Sequence, residues 1–192
     1  MISKNDNMLK EMPQKIMCKV IVAGDGGVGK TTLLKRFVDG TFDMRTNMTI
    51  GVEIHQKSVE IPHNMKVDLV IWDFGGQERF RFLLDSFMNG ASGAILMFDP
   101  TRIMTLFNLV EWIDLVRNYD PNLPIILIAG KMDLLDGPFC DEDKAIEFQH
   151  NNNIQEFFKV SSKTGENVNE AFSSLVNDIL RYKNIQIVEN YV

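Results

Sequence analysis

A glycine-rich segment near the N-terminus limits what this chain can fold into more than any other feature. The segment matches the pattern G-x-x-x-x-G-K-[ST] and consists of Gly24, Asp25, Gly26, Gly27, Val28, Gly29, Lys30 and Thr31. An apolar run at 16–23 precedes it and an amphipathic pattern follows it, which predicts a strand, a loop and a helix in that order. Backbone N–H groups in such a loop point inward, and the helix N-terminus adds partial positive charge. The segment is therefore predicted to bind phosphate.

The side chains at the end of this loop predict how a nucleotide is held. Lys30 is expected to reach the β- and γ-phosphates, the Thr31 hydroxyl to ligate Mg²⁺, and Thr32 to continue the phosphate site into the helix. The loop therefore predicts a protein that binds nucleoside triphosphates. By itself it does not distinguish ATP from GTP.

Short apolar runs rich in β-branched residues alternate with longer amphipathic segments along the rest of the chain. Strands are predicted near 16–23, 52–60, 65–72, 92–99, 124–130 and 156–160, and helices near 30–39, 78–89, 103–118, 141–150 and 167–182. This order predicts an α/β fold with a mostly parallel six-stranded sheet, one antiparallel strand and about five flanking helices. A tight turn at 62–64 joins the second and third strands, which are therefore the predicted antiparallel pair.

Two helical segments show apolar stripes that predict buried faces. The stripes are formed by Leu106, Leu109, Val110, Ile113 and Val116, and by Val168, Ala171, Phe172, Leu175, Ile179 and Leu180. One domain is predicted at 15–182, with a flexible N-terminal extension at 1–14 and a short C-terminal tail at 183–192.

Composition argues against several classes of function. The net charge of −6 disfavours a nucleic-acid backbone as the main partner, because such binding needs a basic face. Cys18 and Cys140 make neither a disulfide framework nor a zinc site, which favours a reducing, cytoplasmic location. No apolar stretch approaches the ~18 residues of a membrane span. Ile2 stands where N-myristoylation needs glycine, and no cysteine for prenylation stands near Val192. We therefore expect no lipid anchor, and peripheral membrane association only through partners.

A second motif follows the apolar strand at 65–72. Asp73 stands at the carboxyl end of that strand, where ligands gather in open α/β sheets, and its carboxylate is predicted to hold Mg²⁺ through a water. Gly76 leaves its backbone N–H free to approach a γ-phosphate. Gln77 offers both a donor and an acceptor, which is what orienting an attacking water requires.

The segment at 73–80 resembles switch II of Ras-superfamily GTPases, and the segment at 49–53 resembles switch I, especially its Rab-type form. The resemblance covers about residues 16–182 and implies the G-domain fold of P-loop NTPases. It also implies that Thr49 gives a second hydroxyl to Mg²⁺ and its N–H to the γ-phosphate, and that Phe42 lies against the guanine base. The alternatives are a strand-edge threonine and a core phenylalanine.

Switch II departs from the family pattern at two positions. Phe74 stands where most Ras and Rab relatives have threonine, and Gly75 where they have alanine. The resulting Gly-Gly-Gln run is similar to the Arf and Gα branches.

The residues that select the base are predicted after the strand at 124–130. The resemblance aligns Gly130, Lys131 and Asp133 with the family pattern Asn-Lys-x-Asp. Asp133 can accept two hydrogen bonds from guanine, and the stem of Lys131 can lie over the base plane. Ser161, Ser162 and Lys163 resemble the Ser-Ala-Lys loop, in which the N–H of Ser162 meets guanine O6. Gly130 lacks the asparagine side chain, so we expect weaker binding or faster release of the nucleotide.

Together these motifs predict a small switch protein that hydrolyses GTP slowly to GDP and phosphate. Gln77, Lys30, Thr49 and Gly76 are the expected catalytic residues, and GTP or GDP with Mg²⁺ the expected ligands. Guanine nucleotide, GTPase activators, exchange factors and effectors are the expected partner classes. The alternatives are a nucleotide-gated scaffold with negligible turnover and, less favoured, a P-loop kinase. Arg45, near switch I, is either a catalytic arginine in cis or an exposed loop residue.

Overall fold

The computed structural model describes residues 15–43, 45, 48–61, 65–76 and 87–185. The strands are β1 Lys15–Ala23, β2 Val52–Ile61, β3 Met65–Phe74, β4 Ala91–Phe98, β5 Ile125–Ala129 and β6 Glu156–Lys159. The helices are α1 Lys30–Asp39, α2 Met104–Phe107, α3 Leu109–Tyr119, α4 Glu142–Asn151 and α5 Val168–Tyr182, with a 3-10 turn at Met132–Leu134. The predicted extension at 1–14, most of the predicted helix at 78–89, and residues 186–192 of the predicted tail lie outside the described residues.

The described strands form one sheet in the order β2-β3-β1-β4-β5-β6. β2 and β3 pair antiparallel, from Val52 opposite Phe74 to Ile61 opposite Met65, and all other pairs are parallel. The predicted α/β fold with one antiparallel strand is therefore confirmed. The turn at 62–64 that was predicted to join β2 and β3 lies outside the described residues.

The predicted helix at 103–118 is two helices, α2 and α3, which meet at Asn108. The side-chain amide of Asn108 donates to Asp25 Oδ2 at 2.7 Å, so this residue connects the junction to the phosphate loop. The apolar stripe shifts there: Val110 is exposed, and Trp112 is fully buried on α3. The prediction that Val110 lies in the core was therefore wrong, because the stripe was drawn through one continuous helix.

Side chains of β1 alternate between the two faces of the sheet, as the twofold period of a strand requires. Val20 and Val22 pack on one face with α1 and α5, and Ile21 and Ala23 pack on the other with α2, α3 and α4. On the first face the rings of Phe37 and Phe172 stack with centroids 3.7 Å apart. This stack joins α1, which begins at the phosphate loop, to α5. The predicted α5 stripe is buried throughout.

Removing one ring of this stack is expected to destabilise the whole domain. Phe172 is fully buried, so Phe172→Ala should lower the free energy of unfolding by about 3–5 kcal/mol, since it leaves a cavity. Met104 is 63% exposed, and Met104→Ala should change the free energy by less than about 0.5 kcal/mol. Urea unfolding with the same nucleotide in excess measures both. Equal losses would contradict the packing described for α1 and α5.

Candidate functional site

Two glycines allow the phosphate loop to take its path between β1 and α1. Gly24 has φ of +139°, and a Cβ there would lie 2.1 Å from the backbone oxygen of Met97 on β4. Gly29 precedes α1 with φ of +108°, in the region that favours glycine. The loop therefore lies directly against the carboxyl end of β4, and α1 begins under it.

Lys30 is buried at the start of α1 and lies within the loop. Its Nζ donates to the backbone oxygens of Gly24 at 2.7 Å and Asp25 at 2.9 Å. Burial lowers the pKa of Lys30 to about 8, although the carboxylates of Asp73 and Asp25 favour its charged form. An anionic phosphate at the loop would also favour the charged amine, so the position suits phosphate recognition.

Three predicted metal ligands converge beside Lys30. Thr31 Oγ1 donates to Asp73 Oδ2 at 2.5 Å and lies 2.8 Å from Thr49 Oγ1. Thr49 Oγ1 lies 3.5 Å from Asp73 Oδ2. Asp73 is fully buried, and its Oδ1 has no hydrogen-bond partner among the described residues. Two hydroxyls and a buried carboxylate are the hard oxygen ligands that Mg²⁺ takes, so these residues fit that ion.

A histidine that was not predicted to belong to this site lies close to the Asp73 carboxylate. His55 on β2 shares a face with Glu53, which pairs with Asp73 across the antiparallel strands. One ligand atom from each of these three residues lies within 4.8 Å of the other two. His55 Nε2 is 3.8 Å from a Glu53 carboxylate oxygen. The pairing register, which sequence reasoning did not resolve, brings His55 beside Asp73.

Gly76 lies on the backbone of the phosphate loop. A Cβ at Gly76 would be 2.3 Å from the carbonyl carbon of Asp25 and 2.4 Å from the nitrogen of Gly26. Among the described residues, a Cβ on Gly26 would come within 4 Å only of the oxygen of Gly76, at 3.8 Å, and the methyl of Met48, at 3.9 Å. Gly26 therefore faces the two segments predicted as switches. Gln77, the predicted water-orienting residue, lies outside the described residues.

A cavity of about 300 Å³ opens beside the loop and collects the residues predicted to bind the base. Its lining includes Phe42, Lys131, Asp133, Ser162 and Lys163, together with loop residues Gly27, Gly29 and Thr32. Asp133 Oδ1 accepts a hydrogen bond of 2.6 Å from Ser161 Oγ, which orients the carboxylate. The structure therefore joins three segments that are far apart in the sequence into one pocket.

Asp99 and Arg102 were missed by the sequence analysis, although they help to hold the loop. Lys131 Nζ donates to the oxygen of Gly27 at 2.6 Å and to Asp99 Oδ2 at 2.8 Å. Arg102 donates from Nε to Asp99 Oδ2 at 3.1 Å and from Nη2 to the oxygen of Gly26 at 3.3 Å. Both side chains thus connect one buried carboxylate to the loop.

The protonation of Asp99 follows from the same contacts. Burial raises the pKa of Asp99, but hydrogen bonds from Lys131 and Thr101 outweigh burial and bring it below the usual range. Its place just after β4, at the carboxyl edge of the sheet, is the signal that could have identified it.

Arg45, which the sequence left open as a catalytic arginine or an exposed residue, is exposed. Its backbone N–H donates to Asp43 Oδ1 at 2.8 Å. The described contacts of Arg45 are therefore local to its own loop.

The fold and this pocket define the class of the protein: a P-loop nucleotide-binding protein with a glycine-rich loop, a cluster of two hydroxyls and a buried carboxylate, and a cavity that is continuous with the loop. Comparison with known proteins identifies the family. The model of the Ras family matches residues 19–181 of this chain. GTP-binding protein ypt3 of Schizosaccharomyces pombe is 34% identical over 175 residues, which cover 91% of this chain and 81% of that protein. Ras-related protein YPT3 of Nicotiana plumbaginifolia is 36% identical over 172 residues, which cover 89% of this chain and 78% of that protein.

This chain belongs to the Ras family. It is a Rab-like small GTPase, a switch protein of a family that binds GTP and GDP with Mg²⁺. Within the part of the chain that the structure describes, no helix has both the length and the apolar character to cross a membrane.

The close approach of Gly76 to the loop can be tested against its neighbour. Gly76→Ala should lower the free energy of unfolding by about 1–3 kcal/mol, because its methyl group would overlap backbone atoms. Gly26→Ala is the matched control, since its nearest neighbours are 3.8 Å away, and should cost less than about 0.5 kcal/mol. Urea unfolding in excess GDP and Mg²⁺ measures both variants. A Gly76→Ala protein as stable as the control would contradict the contact.

Proposed function

We propose that the nucleotide lies with its phosphates in the loop at 24–32 and its base in the cavity beside Asp133. The observation that supports this most is the continuity of the two: Gly27, Gly29 and Thr32 line the same cavity as Phe42 and Asp133. Gly24 through Thr31 would surround the phosphates with backbone N–H groups and the amine of Lys30. The G domain would span residues 15–182.

The metal would be held by Thr31, Thr49 and Asp73. The two threonine hydroxyl oxygens and Asp73 Oδ2 lie within 3.5 Å of one another. When bound, Mg²⁺ neutralises charge that develops on the phosphate oxygens. Thr49 belongs to the predicted switch I, so its hydroxyl would make the position of that segment depend on the metal and the γ-phosphate. This dependence is the proposed basis of switching.

Hydrolysis would be attack of water on the γ-phosphate, giving GDP and phosphate. Lys30 would stabilise negative charge on the phosphates from its buried position. The backbone N–H groups of Gly76 and Thr49 would donate to the γ-phosphate, and Gln77 would orient the water. The position of Gly76 on the loop supports its part in this arrangement.

The base would be read mainly by Asp133. Its carboxylate would accept from guanine N1–H and N2–H₂, while Ser161 Oγ donates to Oδ1 at 2.6 Å and keeps the group oriented. Phe42 and the stem of Lys131 would lie against the base, and the Ser162 N–H would meet O6. Lys163 would complete the lining on that side.

Partners would meet the protein at switch I and the residues on either side of it. Met48, Ile50 and Ile54 expose 62%, 76% and 51% of their surface, which suits binding of activators, exchange factors or effectors. The Gly-Gly-Gln run of switch II is similar to the Arf and Gα branches, and Phe74 beside it would stiffen or re-aim that segment. A cytoplasmic location is supported by the two cysteines, Cys18 and Cys140, which are both free thiols.

Exchanging Asp133 tests the assignment of the base pocket. Asp133→Asn turns a double acceptor into one acceptor and one donor, so the variant should lose guanine preference and gain affinity for xanthine nucleotides. Asp136→Asn, at an exposed position three residues on, is the matched control and should keep guanine preference. Competition between GDP and XDP for each protein gives the result. Unchanged guanine preference in Asp133→Asn would overturn the assignment.

Exchanging Gln77 tests catalysis apart from binding. Gln77→Ala should still bind GTP but slow its conversion to GDP by on the order of a hundredfold, because the water loses its orienting group. Gln56→Ala, on the exposed side of β2, should leave the rate unchanged. Chromatography of bound nucleotide over time measures both. Stable GTP in the unaltered protein would favour a nucleotide-gated scaffold.

A further inference from the structure

Met97 on β4 lines the cavity and occupies the space next to Gly130. Gly130 follows β5, and its N–H donates to the oxygen of Phe98 at the end of β4. A Cβ on Gly130 would lie 2.1 Å from the methyl carbon of Met97, 3.3 Å from the backbone oxygen of Val28 and 3.7 Å from the Met97 sulfur. The volume that a side chain at position 130 would take is therefore filled by Met97.

Backbone conformation does not explain the glycine at this position. Eight glycines of the described chain have positive φ angles, which side chains rarely adopt, and Gly130 is not one of them. Its φ angle is therefore not one that requires glycine. A side chain at position 130 would instead meet the methyl carbon of Met97, which must move to admit it, so positions 97 and 130 constrain each other.

Any shift of the Met97 side chain would take place at the edge of the nucleotide site. It is fully buried on β4, where it pairs with Ile128 of β5. Its methyl carbon lies 3.4 Å from where a Cβ on Gly29 would stand, and its side chain lines the base cavity with Phe42, Lys131 and Asp133. A group added at position 130 would push the methyl toward the phosphate loop or into the cavity.

We propose that the side chain of Met97 controls the rate at which nucleotide leaves the pocket of this protein. In this role it forms one coupled unit with Gly130. The thioether of Met97 makes this wall of the pocket apolar and polarisable. The asparagine of the family pattern would place a polar amide there instead. Gly130 has no side chain with which to hold the phosphate loop. Lys131 holds it: its Nζ donates hydrogen bonds to the oxygen of Gly27 and to the carboxylate of Asp99. The inference rests on the proposed place of the base in this cavity.

A mutant cycle on the GDP dissociation rate tests the coupling. Gly130→Ala alone should speed dissociation of a fluorescent GDP analogue on the order of tenfold, because the displaced methyl disturbs the site. In the background of Met97→Val, which lacks that methyl, the same exchange should change the rate less than about twofold. In the background of Met104→Val, at a residue 63% exposed, it should again give about tenfold.

The other outcomes separate the coupling of Met97 and Gly130 from the proposed function. The same tenfold effect in the Met97→Val background, with GDP bound by the unaltered protein, overturns the coupling and leaves the proposed function standing. Lower thermal stability with unchanged dissociation reduces the pair to core packing and overturns its role in the pocket. If Gly130→Ala does not fold, a folded Met97→Val/Gly130→Ala protein supports the proposal and an unfolded one overturns it. Failure of the unaltered protein to bind GDP overturns both this inference and the proposed function.

Discussion

Backbone lies directly against backbone around the phosphate loop, and the rest of the site depends on that contact. Gly24 lies so close to the oxygen of Met97 that no Cβ fits between them, and Gly76 approaches Asp25 and Gly26 equally closely. A side chain at either glycine would separate the loop from β4 or from the segment after β3. Because they are not separated, Lys30 and Asp73 share a small buried volume in which their charges act on each other.

Burying charges is unfavourable unless each finds a partner, and the site meets this requirement with a network. Lys30 is bound to two backbone oxygens, and Asp99 is bound by Lys131 and Arg102, which also contact the loop. Residues just beyond β1, β3, β4 and β5 thus meet at one edge of the sheet, as expected where parallel strands end together. Lys131 and Arg102 bond the loop at Gly27 and Gly26, and both also bond Asp99.

Two of the residues at which this chain departs from the pattern of the family it resembles, Gly130 and Phe74, lie against apolar side chains. The family's asparagine is replaced by Gly130, and the space is taken by Met97 from the neighbouring strand. Phe74, another departure, is buried and lies with its ring centroid 6.1 Å from that of Phe87, in the core on the far side of the sheet from α1. At both positions apolar packing takes the place of a polar side chain of the family pattern. The residues of the phosphate loop and Asp133 still match that pattern.

The sequence by itself determined the order of strands and helices, the antiparallel pair and the phosphate loop, because these follow from local periodicity and from glycine and lysine at fixed spacing. It also identified Phe42, Lys131, Asp133 and Ser162, which the structure brings to one cavity. Only the tertiary structure decided that helix 103–118 divides at Asn108, that His55 lies beside Asp73, and that Asp99, Arg102 and Met97 belong to the site. These features depend on strand register and on contacts between residues far apart in the chain, and such contacts leave no local pattern in the sequence. In the sequence, Gly130 indicates only that a side chain is missing. The packing shows that Met97 fills the volume that this side chain would take.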